Sequence, residues 1–199
     1  MKDRQPYDTT RVQIVYNLLQ TLLSLWIWLK TARFWLTGRY NWLCQPVDYS
    51  GAHIVTRFCP WGIAFVSDSY DGMYALDMTW WYFFSKFIDY FDSLFFLLRK
   101  KFTHLSMLHV IHHGIMPLSV WPGARYVPGG HASFFGLLNT FVHIVMYFYY
   151  MMSAMGPQYQ KYLWWKQHLT TLQMIQFGCG ICQRNLCLHA LPRRQAKHL

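Results

Sequence analysis

No glutamate occurs in this sequence; all 8 of its acidic residues are aspartates. Charge of either sign is scarce, at 13% of the chain, about half of the ~25% usual in soluble domains. With 54% hydrophobic residues, a chain of this size has too much surface for its volume to hide its apolar groups in one core. A simple soluble domain is therefore excluded, and much of the apolar surface is expected to face lipid. The mean hydropathy of only +0.09 sets a limit in the other direction. The membrane helices must carry many polar groups inward, where such groups are usually functional. Cysteine is sparse and odd in number: Cys44, Cys59, Cys179, Cys182 and Cys187 offer no secreted disulfide framework. Cys179 and Cys182 form a C-x-x-C without the strand–helix setting of a redox motif. Internal repeats are absent. No small-residue cleavage site follows the first apolar run, which excludes a cleaved signal peptide.

The net charge is +10, from 18 Lys and Arg. These residues lie between apolar runs, as loops flanking membrane spans would, and not along one solvated face. Nucleic acid is excluded as a partner on that ground. Residues 12–29 form an uncharged run just long enough to span a membrane. Residues 80–98 are strongly aromatic yet contain Lys86, Asp89 and Asp92, so those charges must face a polar interior. Arg99, Lys100 and Lys101 mark a membrane exit. The next apolar segment, 105–121, is predicted to end at Pro122-Gly123, before the turn-like Val127-Pro128-Gly129-Gly130. Residues 131–155 make a long span closed by Gly156-Pro157, and 162–177 carries Trp164 and Trp165 as interfacial residues. Five spans are predicted, hence an all-α, multi-pass bundle.

Four polar faces carry the chemistry. His109, His112 and His113 are three and four residues apart, so their imidazoles share one helix face. Such a face suits metal ligation or acyl chemistry with histidine as nucleophile and acid/base. Asn139, His143 and Tyr147 are spaced by four; Lys86, Asp89 and Ser93 by three and four, with Asp92 beside them; Thr170, Gln173 and Gln176 by three. One such face is commonly interhelical hydrogen bonding. Four in consecutive spans indicate one lined cavity. A dinuclear metal centre needs several histidine boxes, and no second H-x-x-H occurs among the 10 histidines.

The run from Lys86 to Lys101 resembles the fatty acid elongase signature K-x-x-E-x-x-D-T-x-F-F-x-L-R-K-K. His109 to His113 resembles that family's H-x-x-H-H box, Asn139 to Tyr150 its N-x-x-H-x-x-M-Y-x-Y-Y, and Thr170 to Phe177 its T-x-x-Q-x-x-Q-F. The four motifs keep the family's order, and Cys44 to Tyr49 and Val127 to Gly130 are similar to it as well. The resemblance covers residues 1–50 and 71–177. It implies about five of seven helices of a multi-pass protein of the endoplasmic reticulum, enclosing an acyl tunnel. The implied reaction condenses malonyl-CoA with a long-chain acyl-CoA to a 3-oxoacyl-CoA, carbon dioxide and CoA. On that analogy His112 is the nucleophile, forming an acyl-imidazole, and His143 assists from the facing span. His109 and His113 position groups or move protons. Lys86, Arg99 and Lys100 suit the CoA phosphates by charge, and Asp89, Asp92, Asn139, Tyr147, Gln173 and Gln176 complete the substrate-binding set. No metal and no redox cofactor are expected. The implied partners are acyl-CoA, malonyl-CoA and the bilayer, with other elongation-cycle enzymes and a second copy as further candidates.

The pattern departs from the family in places. Asp89 stands for Glu and Ser93 for Thr. Residues 51–70 have no counterpart, which marks an insert within a domain spanning 1–177. No counterpart of the family's first helix precedes Met1, and 178–199 reads as a divergent tail outside the domain. Insert and tail are attributed to retained intron or misjoined exon sequence. Two rival readings follow: a non-catalytic elongase fragment, and a membrane di-iron desaturase or hydroxylase.

Overall fold

A computed structural model describes residues 7–42, 44–47, 53–55, 64–66, 70–100 and 107–195. Helix α1 spans Thr10–Leu36. Asp8 opens it, its Oδ1 accepting the Thr10 N–H at 3.0 Å. The length follows from an uninterrupted series of helix-compatible apolar residues, and at 27 residues it reaches about 40 Å, more than the ~30 Å hydrocarbon core of a bilayer. Two three-residue strands come next, His53–Val55 (β1) and Ala64–Val66 (β2). They pair antiparallel with Ile54 opposite Phe65. This short ribbon is the one departure from helix among the described elements.

The aromatic segment read as a single span forms two helices, α2 (Tyr70–Ile88) and α3 (Tyr90–Leu98). The interruption falls at Asp89, where the Asp92 N–H bonds back to the Asp89 carbonyl in a tighter turn. Helix α4 covers Met107–Tyr126 and passes through Pro117 and Pro122. The expected stop at residue 121 is thus corrected. Proline breaks a helix in water, whereas in a membrane bundle neighbouring groups re-satisfy the freed backbone.

Helix α5 spans Ala132–Ala154, α6 is the single turn Pro157–Gln160, and α7 runs Lys166–Gln195. The sequence boundary at 177 falls inside α7, which continues through residues 178–195 as helix. The α4–α5 turn is specified by Gly129 and Gly130, both with positive φ. A Cβ on Gly129 would meet Ala75 Cβ at 2.6 Å, and one on Gly130 would meet Val47 Cγ2 at 2.7 Å. Glycine is required there by conformation and by close approach together.

Helices α1 and α5 form the most extensive pair, α2 packs on α4, and α7 lies along α5. A core of Phe34, Trp35, Tyr40, Ala75, Met78 and Leu137 fills one end. There Trp35 Nε1 donates to Ser133 Oγ at 3.2 Å. At that same end Lys30 meets Asp77 at 2.6 Å and Arg39 pairs with Asp71, joining α1 to α2. The Cys44 and Cys187 sulfurs are bonded across 143 residues, tying the segment after α1 to α7. The cysteine count did not indicate this pairing. By length and composition α1 and α5 are apolar enough to cross a membrane. The chain is a helical membrane bundle.

Candidate functional site

Lys86, near the end of α2, and Asp89, at the α2–α3 break, are 4% and 3% exposed. Their spacing of three places them one helical turn apart, and Lys86 Nζ bonds Asp89 Oδ2 at 3.2 Å. Lys86 Nζ also donates to Asn139 Oδ1 at 3.1 Å, and the Tyr82 hydroxyl donates to the same oxygen at 2.9 Å. Tyr147 is fully buried, and its hydroxyl lies 2.8 Å from Asp89 Oδ1 and 2.7 Å from Asp92 Oδ2. His143 Nδ1 lies 3.9 Å from Asp89 Oδ2. A buried cation is thus held by a neutral acceptor on α5, Asn139 Oδ1, and two carboxylates by a neutral donor on the same helix, the Tyr147 hydroxyl. Leaving such charges unpaired would cost several kcal/mol each, so the arrangement is maintained by mutual satisfaction.

The sequence faces on α2–α3 and α5 therefore meet. His112 and His113 lie on α4 with their rings 5.4 Å apart, edge to face. Both are near enough to His143 to interact with it electrostatically, as His112 does with Lys86 and Asp89. His109 sits in the first turn of α4, and its side chain falls outside the described residues. On α7 the face is only partly inward. Thr170 is exposed, Gln173 Nε2 approaches Met146 Sδ at 3.9 Å, and Gln176 is buried with its Nε2 unbonded. Arg99 is not part of the cluster; it closes the other end of α3, where it donates to Gln13 Oε1 on α1. Lys100 follows with a positive φ. Lys86 is thus separated from the two basic residues with which charge alone had grouped it.

Sequence reasoning placed a span at 12–29 but missed that α1 contributes to the site. Gln20 is buried and its Nε2 donates to Asp89 Oδ1 at 2.7 Å, while the Tyr16 hydroxyl donates to the Ile88 carbonyl at 3.1 Å. The signal was present: Asn17, Gln20 and Ser24 are spaced three and four apart in an otherwise apolar run, and all are buried. Tyr82, one turn before Lys86, was missed as well.

A cavity of about 400 Å³ adjoins the cluster at Tyr82 and runs among α1, α2, α4 and α5 toward the Gly129 turn. Among the described residues, Cys44, His131 and Cys187 are the one group with metal-ligand atoms within 4.8 Å of one another. Two of those sulfurs are already joined.

The family model of the ELO: GNS1/SUR4 family matches residues 1–195. A very long chain fatty acid elongase of Aedes aegypti is 51% identical over 178 residues, 89% of this chain and 45% of that protein. Very long chain fatty acid elongase 7 of Drosophila melanogaster is 49% identical over 178 residues, 89% of this chain and 49% of the relative. Human very long chain fatty acid elongase 4 is 41% identical over 189 residues, 95% of this chain and 55% of the relative. The chain spans about half the length of the curated relatives it matches.

Proposed function

Since the chain belongs to the GNS1/SUR4 family, we propose that it carries the reaction centre of a very-long-chain fatty acid elongation enzyme. The proposed reaction is decarboxylative condensation of malonyl-CoA with a long-chain acyl-CoA, giving a 3-oxoacyl-CoA, carbon dioxide and CoA. The observation that carries this reading is the buried Lys86–Asp89–Asp92 cluster, bonded to Asn139 and Tyr147 and opening beside an apolar cavity. A polar centre at the mouth of an apolar cavity suits a substrate with a reactive thioester on an alkyl chain.

In the proposed mechanism a His112 nitrogen attacks the acyl thioester carbonyl, and the C–S bond breaks to release CoA as thiolate. Decarboxylation of malonyl-CoA then supplies the carbanion equivalent. Its attack on the acyl carbonyl forms the new C–C bond and returns His112 to neutral imidazole. The Asp89 carboxylate beside His143 Nδ1 favours the tautomer with its proton on that nitrogen, leaving Nε2 to act as base. His109 and His113 are assigned to positioning and proton movement. Asp92, Asn139, Tyr147, Gln173 and Gln176 are assigned to holding the thioester end, and Arg99 and Lys100 to the CoA phosphates. The cycle balances without a metal or redox cofactor.

We place the protein in the endoplasmic reticulum membrane as a multi-pass bundle. The Cys44–Cys187 bond supports exposure of that end to an oxidising compartment. The test is His112→Ala, expressed in membranes and assayed for malonyl carbon in acyl products. Product formation is expected to disappear; full activity in the variant would sink the nucleophile assignment.

A further inference from the structure

Helix α2 serves the reaction centre with one face only. Ala75 and Met78 are buried in the core, and Tyr82 and Lys86 bond Asn139. On the opposite side Tyr70, Met73, Tyr74, Asp77, Trp80 and Trp81 recur at three- and four-residue steps and line a second cavity of about 610 Å³. The proposed reaction uses none of these residues.

The rings of this face are already arranged around positive charge. Lys30 Nζ, reaching across from α1, lies 4.3 Å from the centre of the Trp26 ring and 5.5 Å from that of Tyr74, and pairs with Asp77 Oδ2 at 2.6 Å. The Arg39 guanidinium lies 5.7 Å from the Tyr70 ring and pairs with Asp71. The Tyr74 hydroxyl donates to the Lys30 carbonyl at 3.3 Å, Trp80 stacks on Phe84, and Trp81 packs edge to face on Trp26. The rings are thus held in place before a guest arrives, which lowers the cost of binding one. Lys30 does not exhaust Asp77: its side chain is 48% exposed, and Oδ1 has no partner among the described residues.

The depth of this face in a bilayer follows from α1. That helix exceeds the hydrocarbon core by about 10 Å, and its charged end, with Lys30, Arg33 and Arg39, belongs at the level of the lipid head groups. Tryptophan and tyrosine are the residues favoured there. Two cations and two carboxylates border the cavity, so its charge sums to zero. An anionic head group would meet Asp71 and Asp77, whereas a zwitterion finds a partner for each of its charges. A quaternary ammonium has no N–H to donate, and ring faces beside a carboxylate are the surface that attracts it.

We infer that this outer face of α2 binds the head group of a phosphocholine lipid, its quaternary ammonium against Tyr70, Tyr74, Trp80 and Asp77 and its phosphate toward Lys30 and Arg39. The site requires the membrane position of the chain and is independent of the reaction. The purified full chain in detergent micelles is titrated with a phosphatidylcholine carrying a fluorescent acyl tail. Unlabelled phosphatidylcholine, phosphatidylglycerol with the same tails and soluble phosphocholine serve as competitors. Wild type is expected to favour phosphatidylcholine over phosphatidylglycerol roughly tenfold. Tyr70 is 65% exposed, so Tyr70→Leu should leave the fold intact. It should weaken phosphatidylcholine about two- to fivefold and leave phosphatidylglycerol unchanged. Asp77→Asn, which leaves Lys30 unpaired, should weaken phosphatidylcholine and strengthen phosphatidylglycerol, a reversal that loss of structure would not produce. Trp164→Leu, an exposed aromatic outside this face, is the control and should match wild type. Equal affinity of wild type for the two lipids would overturn the inference, as would a preference unaltered in both variants or lost equally for both lipids. Competition by phosphocholine as strong as by the lipid would overturn it in favour of a soluble ligand. Light scattering on the same samples covers the remaining occupant: a dimer abolished by Tyr70→Leu, without lipid preference, would assign the face to a second copy of the chain.

Discussion

At the scale of single residues, the chain places a lysine and two aspartates where lipid-buried charge is least tolerable. Asp89 accepts from Gln20, Lys86 and Tyr147 at 2.7, 3.2 and 2.8 Å. These three partners come from three different helices or helix ends, so the carboxylate works as a junction. Lys86→Met is expected to destabilise the protein by about 3–5 kcal/mol, because it leaves an uncompensated buried carboxylate. The double variant Lys86→Met, Asp89→Leu should recover part of that loss, since it removes one of the two buried carboxylates and leaves Asp92, still bonded by Tyr147, and the unpaired Gln20 amide. Thermal unfolding of the purified variants in detergent measures both. A double variant less stable than Lys86→Met alone would show that the pair is not coupled in this way. Much of this site was legible in the sequence, because Lys86, Asp89, Asn139, His143 and Tyr147 occur at helical spacing within apolar runs. Gln20 was less legible. Its stripe of amides and hydroxyls is uncharged, and such a stripe is compatible with ordinary helix–helix hydrogen bonding.

Among elements, the tightest constraints lie at the end of the bundle away from the cluster. The α4–α5 turn fits against α2 only because Gly129 lacks a side chain, with Ala75 Cβ and the Tyr40 hydroxyl already within 3 Å of where a Cβ would stand. Gly129→Ala is expected to lower stability by about 1–3 kcal/mol through backbone strain and steric clash. An unchanged melting temperature in this variant would contradict the fit. The Cys44–Cys187 link constrains the same end, closing a loop of 143 residues. Cys44→Ser should lower stability by about 2–5 kcal/mol in the oxidised protein. It should have no further effect once the wild type is reduced, a comparison made by melting each with and without dithiothreitol. Helix existence was readable from apolar run length, but helix ends were not. Pro122-Gly123 reads as a stop by local propensity, yet α4 continues to Tyr126. The aromatic run reads as one span, yet it breaks at Asp89, a position fixed by side chains on α1 and α5.

For the molecule as a whole, apolar surface remains abundant outside the bundle. Val12, Val15, Leu19, Leu22 and Leu29 of α1 are all more than half exposed, as a lipid-facing stripe would be. The chain expressed in cells is expected to stay in the membrane pellet after alkaline carbonate extraction; recovery in the supernatant would exclude an integral position. Composition determined this much alone, since scarce charge and abundant hydrophobic residues leave no soluble solution for a chain of this length. The order and spacing of the motifs determined the family and the helices that bear the polar faces. Only the tertiary structure decided which faces meet. It brought α1 into the cluster through Gln20, set Lys86 apart from Arg99 and joined Cys44 to Cys187. The physical reason is that helical periodicity fixes which residues share a face. Which faces oppose each other depends on the packing of whole helices, and no local spacing carries that information.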